Sequence, residues 1–307
     1  MLLRPLLRSV CLIVSNSIIR IKNVSKFYNP QSIFNFGSSQ PLITAFRNVT
    51  LDLNAFTTII GSSGSGKSTF AKCVGGLALF SYGKLLFDNN ESTHCWRNSA
   101  YLGLQYRSEY NARSLCKTYI KSFSYPPANI ALDIANNVFD IPSLLDKQPE
   151  SLLESQRHLF NIYLGLQNTC ENHIHQLAKL APNSNPLSQS TTTTTSGSSG
   201  INSSTDNSNS MSTILILDEY LDKLSLTVRN NVINKLKQYV QLLKIHNNNT
   251  THTNIYKHYC YIIVITHRES VLIASDSRSI ILHSGRLYDV KDDYKKLIRP
   301  VQLQLLE

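Results

Sequence analysis

Three runs of strand length, Phe56 to Ile60, Ile214 to Leu217 and Tyr259 to Ile265, are rich in apolar residues with little alternation, the pattern of strands buried on both faces. Ile18 to Tyr28 alternates enough to predict another strand, as does Ala45 to Leu53, with a loop rich in Asn, Pro, Gly and Ser between them. Lys84 to Phe87 and Ala100 to Leu104 predict shorter strands. After the first apolar run the period changes: Phe70, Cys73, Val74 and Leu77 recur at i, i+3, i+4 and i+7, which predicts a helix packed on the sheet. From about Asn111 to Leu166, helix-compatible stretches broken at Pro126-Pro127, Pro142 and Pro149 predict a helical insert between two parts of an α/β core. Pro182 to Thr213 is rich in Ser, Thr and Asn and carries one charged residue, Asp206. It cannot build a core, and a disordered insertion is expected. His246 to Asn254 reads as a polar surface loop.

Composition narrows the class. The 307 residues, 42% of them hydrophobic, suffice for a substantial core. No run reaches the ~18 to 20 consecutive apolar residues of a bilayer span, so a membrane role requires a partner. Six scattered cysteines with no C-x-x-C pair indicate neither a zinc site nor a secreted disulfide framework, and a reducing compartment is the simpler reading. His173 and His175, two apart, face opposite ways on a helix and lack a third metal ligand. The net charge of +10 arises largely in residues 1 to 51, which hold six Lys/Arg and no acid. That distribution argues against a nucleic-acid surface. Residues 1 to 17, with Arg4 and Arg8 among leucines, have the basic, acid-free texture of an organelle leader, mitochondrial or plastid-like, or of an ordinary basic leader.

The chemistry begins at Gly61-Ser62-Ser63-Gly64-Ser65-Gly66-Lys67-Ser68, followed by Thr69, which satisfies G-x-x-x-x-G-K-[ST] at every constrained position. A strand precedes it and a helix follows. Glycines let the backbone curl with its N–H groups around a phosphate, Lys67 reaches the β and γ oxygens, and the Ser68 hydroxyl is offered to Mg²⁺. The helix N-terminus adds partial positive charge beneath them. Ile214 to Leu217 ends in Asp218-Glu219, two carboxylates at the C-terminal edge of a buried strand, where ligands of α/β sheets gather. Asp218 is placed to hold Mg²⁺ through water, and Glu219 to accept a proton from an attacking water. The strand Tyr259 to Ile265 leads to Thr266-His267, where an imidazole can contact a γ-phosphate.

The order of these segments resembles the ATP-binding cassette (ABC) ATPase domain over about residues 18 to 290, within a domain placed at 18–299 and followed by a tail, 300–307. The resemblance implies a P-loop NTPase with a mostly parallel core sheet, an N-terminal antiparallel β subdomain and a helical subdomain at about 111–166, interrupted by a disordered insertion at about 182–213. It implies that Tyr28 stacks on adenine, that Gln105 is the glutamine contacting nucleotide and metal, that Asp218 is the metal aspartate, Glu219 the catalytic glutamate and His267 the switch histidine. ATP and Mg²⁺ are the implied ligands. Leu282 to Leu287 resembles the hairpin that usually follows.

Two motifs depart from the family. The signature Leu-Ser-Gly-Gly-Gln/Glu corresponds to Glu150-Ser151-Leu152-Leu153-Glu154, before Gln156-Arg157, so Ser151 stays while both glycines become leucines. These leucines are expected to obstruct approach to a γ-phosphate held by an opposite subunit, and Glu150 adds unfavourable charge. After Glu219 the family reads Pro-Thr-Ser-Ala-Leu-Asp, whereas this chain reads Tyr220-Leu221-Asp222-Lys223-Leu224-Ser225. These departures suggest a heterodimer with a second ABC ATPase subunit rather than a homodimer, and the resemblance implies docking on a transmembrane partner, peripheral to a membrane inside the cell. A regulatory, non-transport ABC protein is the alternative. A chromosome-associated ATPase of related fold fits less well, because heptads are absent.

Overall fold

The structure, a computed structural model, describes residues 19–28, 43–87, 90–91, 99–103, 111, 114–180, 210–249, 257–268 and 278–289. Ten strands lie among them, in two sheets. The first is antiparallel, in the order β2-β1-β4-β5: β1 is Ile19–Tyr28, β2 Ile43–Leu53, β4 Tyr82–Phe87 and β5 Asn90–Glu91. The second has the order β10-β9-β3-β8-β7-β6: β3 is Phe56–Ile60, β6 Ser99–Gly103, β7 Ser210–Asp218, β8 Lys257–Thr266, β9 Arg278–His283 and β10 Arg286–Asp289. Every pairing in it is parallel except the β9–β10 hairpin.

The apolar strands explain the layering. Along β7, Ile214 and Ile216 enter one cluster of buried side chains while Leu215 and Leu217 enter another; along β8, Ile263 and Ile265 part in the same way from Ile262 and Val264. Successive side chains point to opposite faces, so a strand apolar throughout needs cover on both. One face meets the antiparallel sheet and α1 (Lys67–Val74), through Phe46, Phe70, Ala71 and Val74. The other meets α2 (Pro126–Phe139), α3 (Glu154–Leu180) and α4 (Leu226–Asn249), through Ala131, Phe160 and Leu236 among others.

Several boundaries differ from expectation for physical reasons. Leu77 is exposed, because the helix stops at Val74: Gly76 takes φ 73° and Leu77 N–H closes back on Lys72 O at 2.8 Å. Pro126 and Pro127 open α2 instead of breaking a helix, since the first turn needs no N–H donors from them. Helix α3 runs beyond residue 166 to Leu180. Ser210 to Thr213 belong to β7, where pairing with Lys257 to Cys260 overrides their polar composition; the rest of the tract expected to be disordered lies outside the described residues. His246 to Asn249 are the last residues of α4 and not loop.

Candidate functional site

Parallel pairing brings four strand ends to one edge. Ile60 pairs with Thr266, Asp218 with Ile265 and Gly103 with Asp218, so the segments that follow β3, β7 and β8 leave the sheet side by side. From β3 the chain turns through Gly61 to Gly66 into α1. Gly66 has φ 98°, and a Cβ there would lie 2.3 Å from the Ala45 carbonyl oxygen, so neither its backbone nor its surroundings accept a side chain. Gly64, at φ 73°, faces open space. Lys67 is buried, and its ammonium donates to the carbonyls of Gly61 and Ser62 at 2.8 and 2.7 Å. Burial lowers its pKa, while Glu219, Asp218 and Asp222 oppose the loss of charge. Ser65 Oγ is buried without a hydrogen-bond partner, and Ser68 and Thr69 sit half-buried on the first turn of α1.

The carboxylates stand against this loop. Asp218 is buried; its Oδ2 accepts a hydrogen bond from the Tyr101 hydroxyl, and its Oδ1 has no partner. A buried carboxylate oxygen without a donor suits a cation or its water. Glu219 takes φ 54°, uncommon for a residue with a side chain, and its N–H donates to Ile265 O at 2.9 Å. Its carboxylate meets His267 Nε2, while His267 Nδ1 lies 3.0 Å from Gly61 O. A carbonyl only accepts, so the imidazole donates to Gly61 from Nδ1 and turns Nε2 to Glu219. One imidazole thus ties the phosphate loop to Glu219.

The remaining expected residues divide. Tyr28 pairs with Ile43, at the ribbon end whose Ala45 abuts Gly66; it is partly exposed, with the Lys26 ammonium 5.0 Å from its ring centroid. Gln105 lies outside the described residues. Ser151 ends a short 3-10 turn and donates to Gln148 O at 2.8 Å. Leu152 is buried in the core and therefore obstructs nothing, correcting that part of the expectation, whereas Leu153 is 69% exposed. Gln156 and Arg157 serve the backbone here: Gln156 accepts from Leu153 N–H at 3.2 Å, as in half of a capping box, and Arg157 reaches the Leu152 carbonyl at 3.1 Å.

Sequence reasoning missed three contributors. Tyr101 reaches Asp218 from the neighbouring strand. Asp222 accepts from Thr266 Oγ1 at 2.5 Å and from His267 N–H at 3.1 Å, anchoring the segment after Glu219 to the end of β8. Arg229, wholly buried in α4, donates to Leu221 O and Leu224 O at 3.0 and 2.8 Å. An arginine on the apolar face of α4 was the available signal. Ser225 precedes α4 and accepts from Val228 N–H at 3.4 Å.

Comparison with known proteins follows the same lines. The chain matches the ABC transporter family over residues 46–257. It is similar to the lipoprotein-releasing system ATP-binding protein LolD of Rickettsia bellii (strain RML369-C), 35% identical over 99 residues that span 32% of this chain and 42% of that protein. Its fold is similar to that of cbiO1 from Clostridium perfringens, part of the ABC transporter complex cbiONQ, with a TM-score of 0.57 at 16% identity over 94% of this chain and 96% of the other. It is likewise similar to the ADP conformation of MJ1267, an ATP-binding cassette of an ABC transporter, with a TM-score of 0.54 at 15% identity over 89% and 90% of the two chains.

Proposed function

The chain belongs to the ABC transporter family, and from that membership we propose that it binds ATP with Mg²⁺ and hydrolyses it, powering transport through a separate membrane-spanning partner. The observation that carries the reading is the bridge from Gly61 through His267 to Glu219, which joins the phosphate loop to a general base. Loop N–H groups and Lys67 bind the β- and γ-phosphates. Asp218 and Ser68 would hold Mg²⁺, which when bound neutralises phosphate charge. Glu219 takes the proton of a water attacking the γ-phosphorus as the bond to the bridging oxygen breaks and ADP leaves. His267 holds that carboxylate and contacts the γ-phosphate. Tyr28 stacks on adenine, and Gln105 contacts nucleotide and metal.

The partners follow from the same premise. Among the described residues no helix is long and apolar enough to cross a membrane, consistent with a subunit peripheral to it. The LolD relative is by its name the ATP-binding protein of a releasing system, and cbiO1 is part of a transporter complex. The exposed Leu153 and the nearby Glu150 favour pairing with a second, different cassette whose signature is intact. They also favour the second reading, in which ATP binding alone switches an assembly. An organelle address for residues 1 to 17 rests on composition only.

The test compares the purified chain with Glu219→Gln. Wild type should release phosphate from ATP, and the variant should lose about 10²- to 10⁴-fold in rate while binding ATP equally well. A chain that binds no nucleotide sinks the reading. If the variant preserves the chain's cellular function, binding and not hydrolysis is the working step. Affinity purification from native membranes, read by mass spectrometry, should recover a polytopic protein if transport is the role.

A further inference from the structure

Tyr101 has no part in the phosphate-loop pattern, yet its hydroxyl donates a hydrogen bond to Asp218, the residue read as the metal aspartate. Tyr101 and Gly103 lie two apart in β6 and share a face of the strand, and Gly103 pairs with Asp218 across the ladder. A Cβ on Gly103 would sit 3.2 Å from Cε1 of Tyr101. The phenol ring therefore runs forward along the strand, beside the space a side chain at 103 would claim, and its hydroxyl ends on Asp218 Oδ2. From α1 the Lys72 ammonium lies over the ring, 5.5 Å from its centroid, holding it from the helix side. The two oxygens of Asp218 are thereby made unequal. One accepts the phenol; the other is buried with no hydrogen-bond partner.

We propose that Tyr101 is a positioning residue that fixes the Asp218 carboxylate in a single rotamer, with Oδ1 presented to the divalent cation of the bound nucleotide. The inference rests on the reading of Asp218 as the metal carboxylate. A neutral hydroxyl suits the task because it orients the group while leaving its full negative charge for the cation; a lysine or arginine in its place would cancel that charge. Gly103 belongs to the same device, since a side chain there would push the ring off its path. Groups that orient a metal ligand in this way commonly govern affinity for the metal more than the shape of the site.

The experiment uses the full chain saturated with a non-hydrolysable ATP analogue, Mn²⁺ being titrated in and the free ion followed by electron paramagnetic resonance. Tyr101→Phe should weaken Mn²⁺ binding about 10- to 100-fold, with analogue affinity in EDTA unchanged and the circular dichroism spectrum of wild type. Should that variant fail to fold, Gly103→Ala, which displaces the ring while keeping the phenol, is read by the same titration and should show the same loss. Equal Mn²⁺ affinity in wild type and a folded variant overturns the role of Tyr101 alone. Failure of wild type to bind Mn²⁺ with the analogue overturns the proposed function instead.

Discussion

At Gly66 conformation and space are both closed to a side chain. Its φ of 98° costs any L-residue strain, and the Ala45 carbonyl oxygen lies 2.3 Å from where a Cβ would stand. Backbone on backbone cannot yield as the end of a flexible side chain does. Gly66→Ala is therefore expected to lose about 1 to 3 kcal/mol of stability from the conformation alone and to distort the turn that delivers Lys67. Urea denaturation and nucleotide titration of the variant check both effects; a variant with wild-type midpoint and affinity would contradict them. Lys67 depends on this turn, because its buried ammonium is held by the carbonyls of Gly61 and Ser62 and by the field of Asp218, Glu219 and Asp222. Glu219 at φ 54° shows the same economy: its unusual backbone turns the carboxylate toward His267.

Among elements, the joint between β7, β8 and α4 holds a buried histidine with consequences for stability. His258 shares a hydrogen bond with Thr213 Oγ1 at 3.1 Å, and Asn247 of α4 brackets its backbone, donating to its carbonyl at 2.8 Å. Burial, with a smaller contribution from His173, pushes its pKa from 6.5 down to about 3. Burial lowers His158 and His173 as well. Below pH 6.5 the unfolded chain then binds protons that the folded chain refuses, so stability is complete above that pH and falls as pH drops toward 3. Between pH 7.5 and 5 the loss from His258 is at most about 2 kcal/mol. Urea midpoints at the two pH values should show the decline, and His258→Gln should lessen it, leaving the part due to His158 and His173. The segment after β7 has its own anchors: the Tyr220 ring packs edge-on against His158, its centroid 5.1 Å away, and Asn161 donates to its hydroxyl at 3.3 Å. Helix α3 therefore begins at the segment read from sequence as the signature and braces the residue after Glu219 with its next turns.

At the scale of the whole molecule, pairing is the question. Leu153, read from sequence as standing where the family has glycine, is exposed, so two copies of this chain are expected to complete each other's sites poorly. Alone in Mg²⁺ and ATP, the Glu219→Gln chain should remain monomeric in light scattering, and wild type should turn over below about 1 s⁻¹, slow for an enzyme. A stable homodimer with brisk turnover would contradict the heterodimer. Replacing Leu152 along with Leu153 is no clean repair, because Leu152 is buried in the core and its loss would cost about 2 to 5 kcal/mol.

The sequence by itself determined the phosphate loop, the carboxylate pair and the layered α/β core, because each is written in contiguous residues whose pattern follows from local geometry: glycines for a tight turn, unbroken apolar runs for strands covered on both faces. It also placed His267 at a strand end. Its partners there were not legible. His267 meets Gly61 across 206 positions, Tyr101 meets Asp218 across 117 and Thr266 meets Asp222 across 44. Such contacts depend on strand order and register, which periodicity does not encode. For the same reason Ser210, Ser212 and Thr213 became strand and Leu152 became core: pairing and burial supplied by distant segments outweigh local composition. Only the tertiary structure decided which oxygen of Asp218 stays unbonded and which residue holds the other.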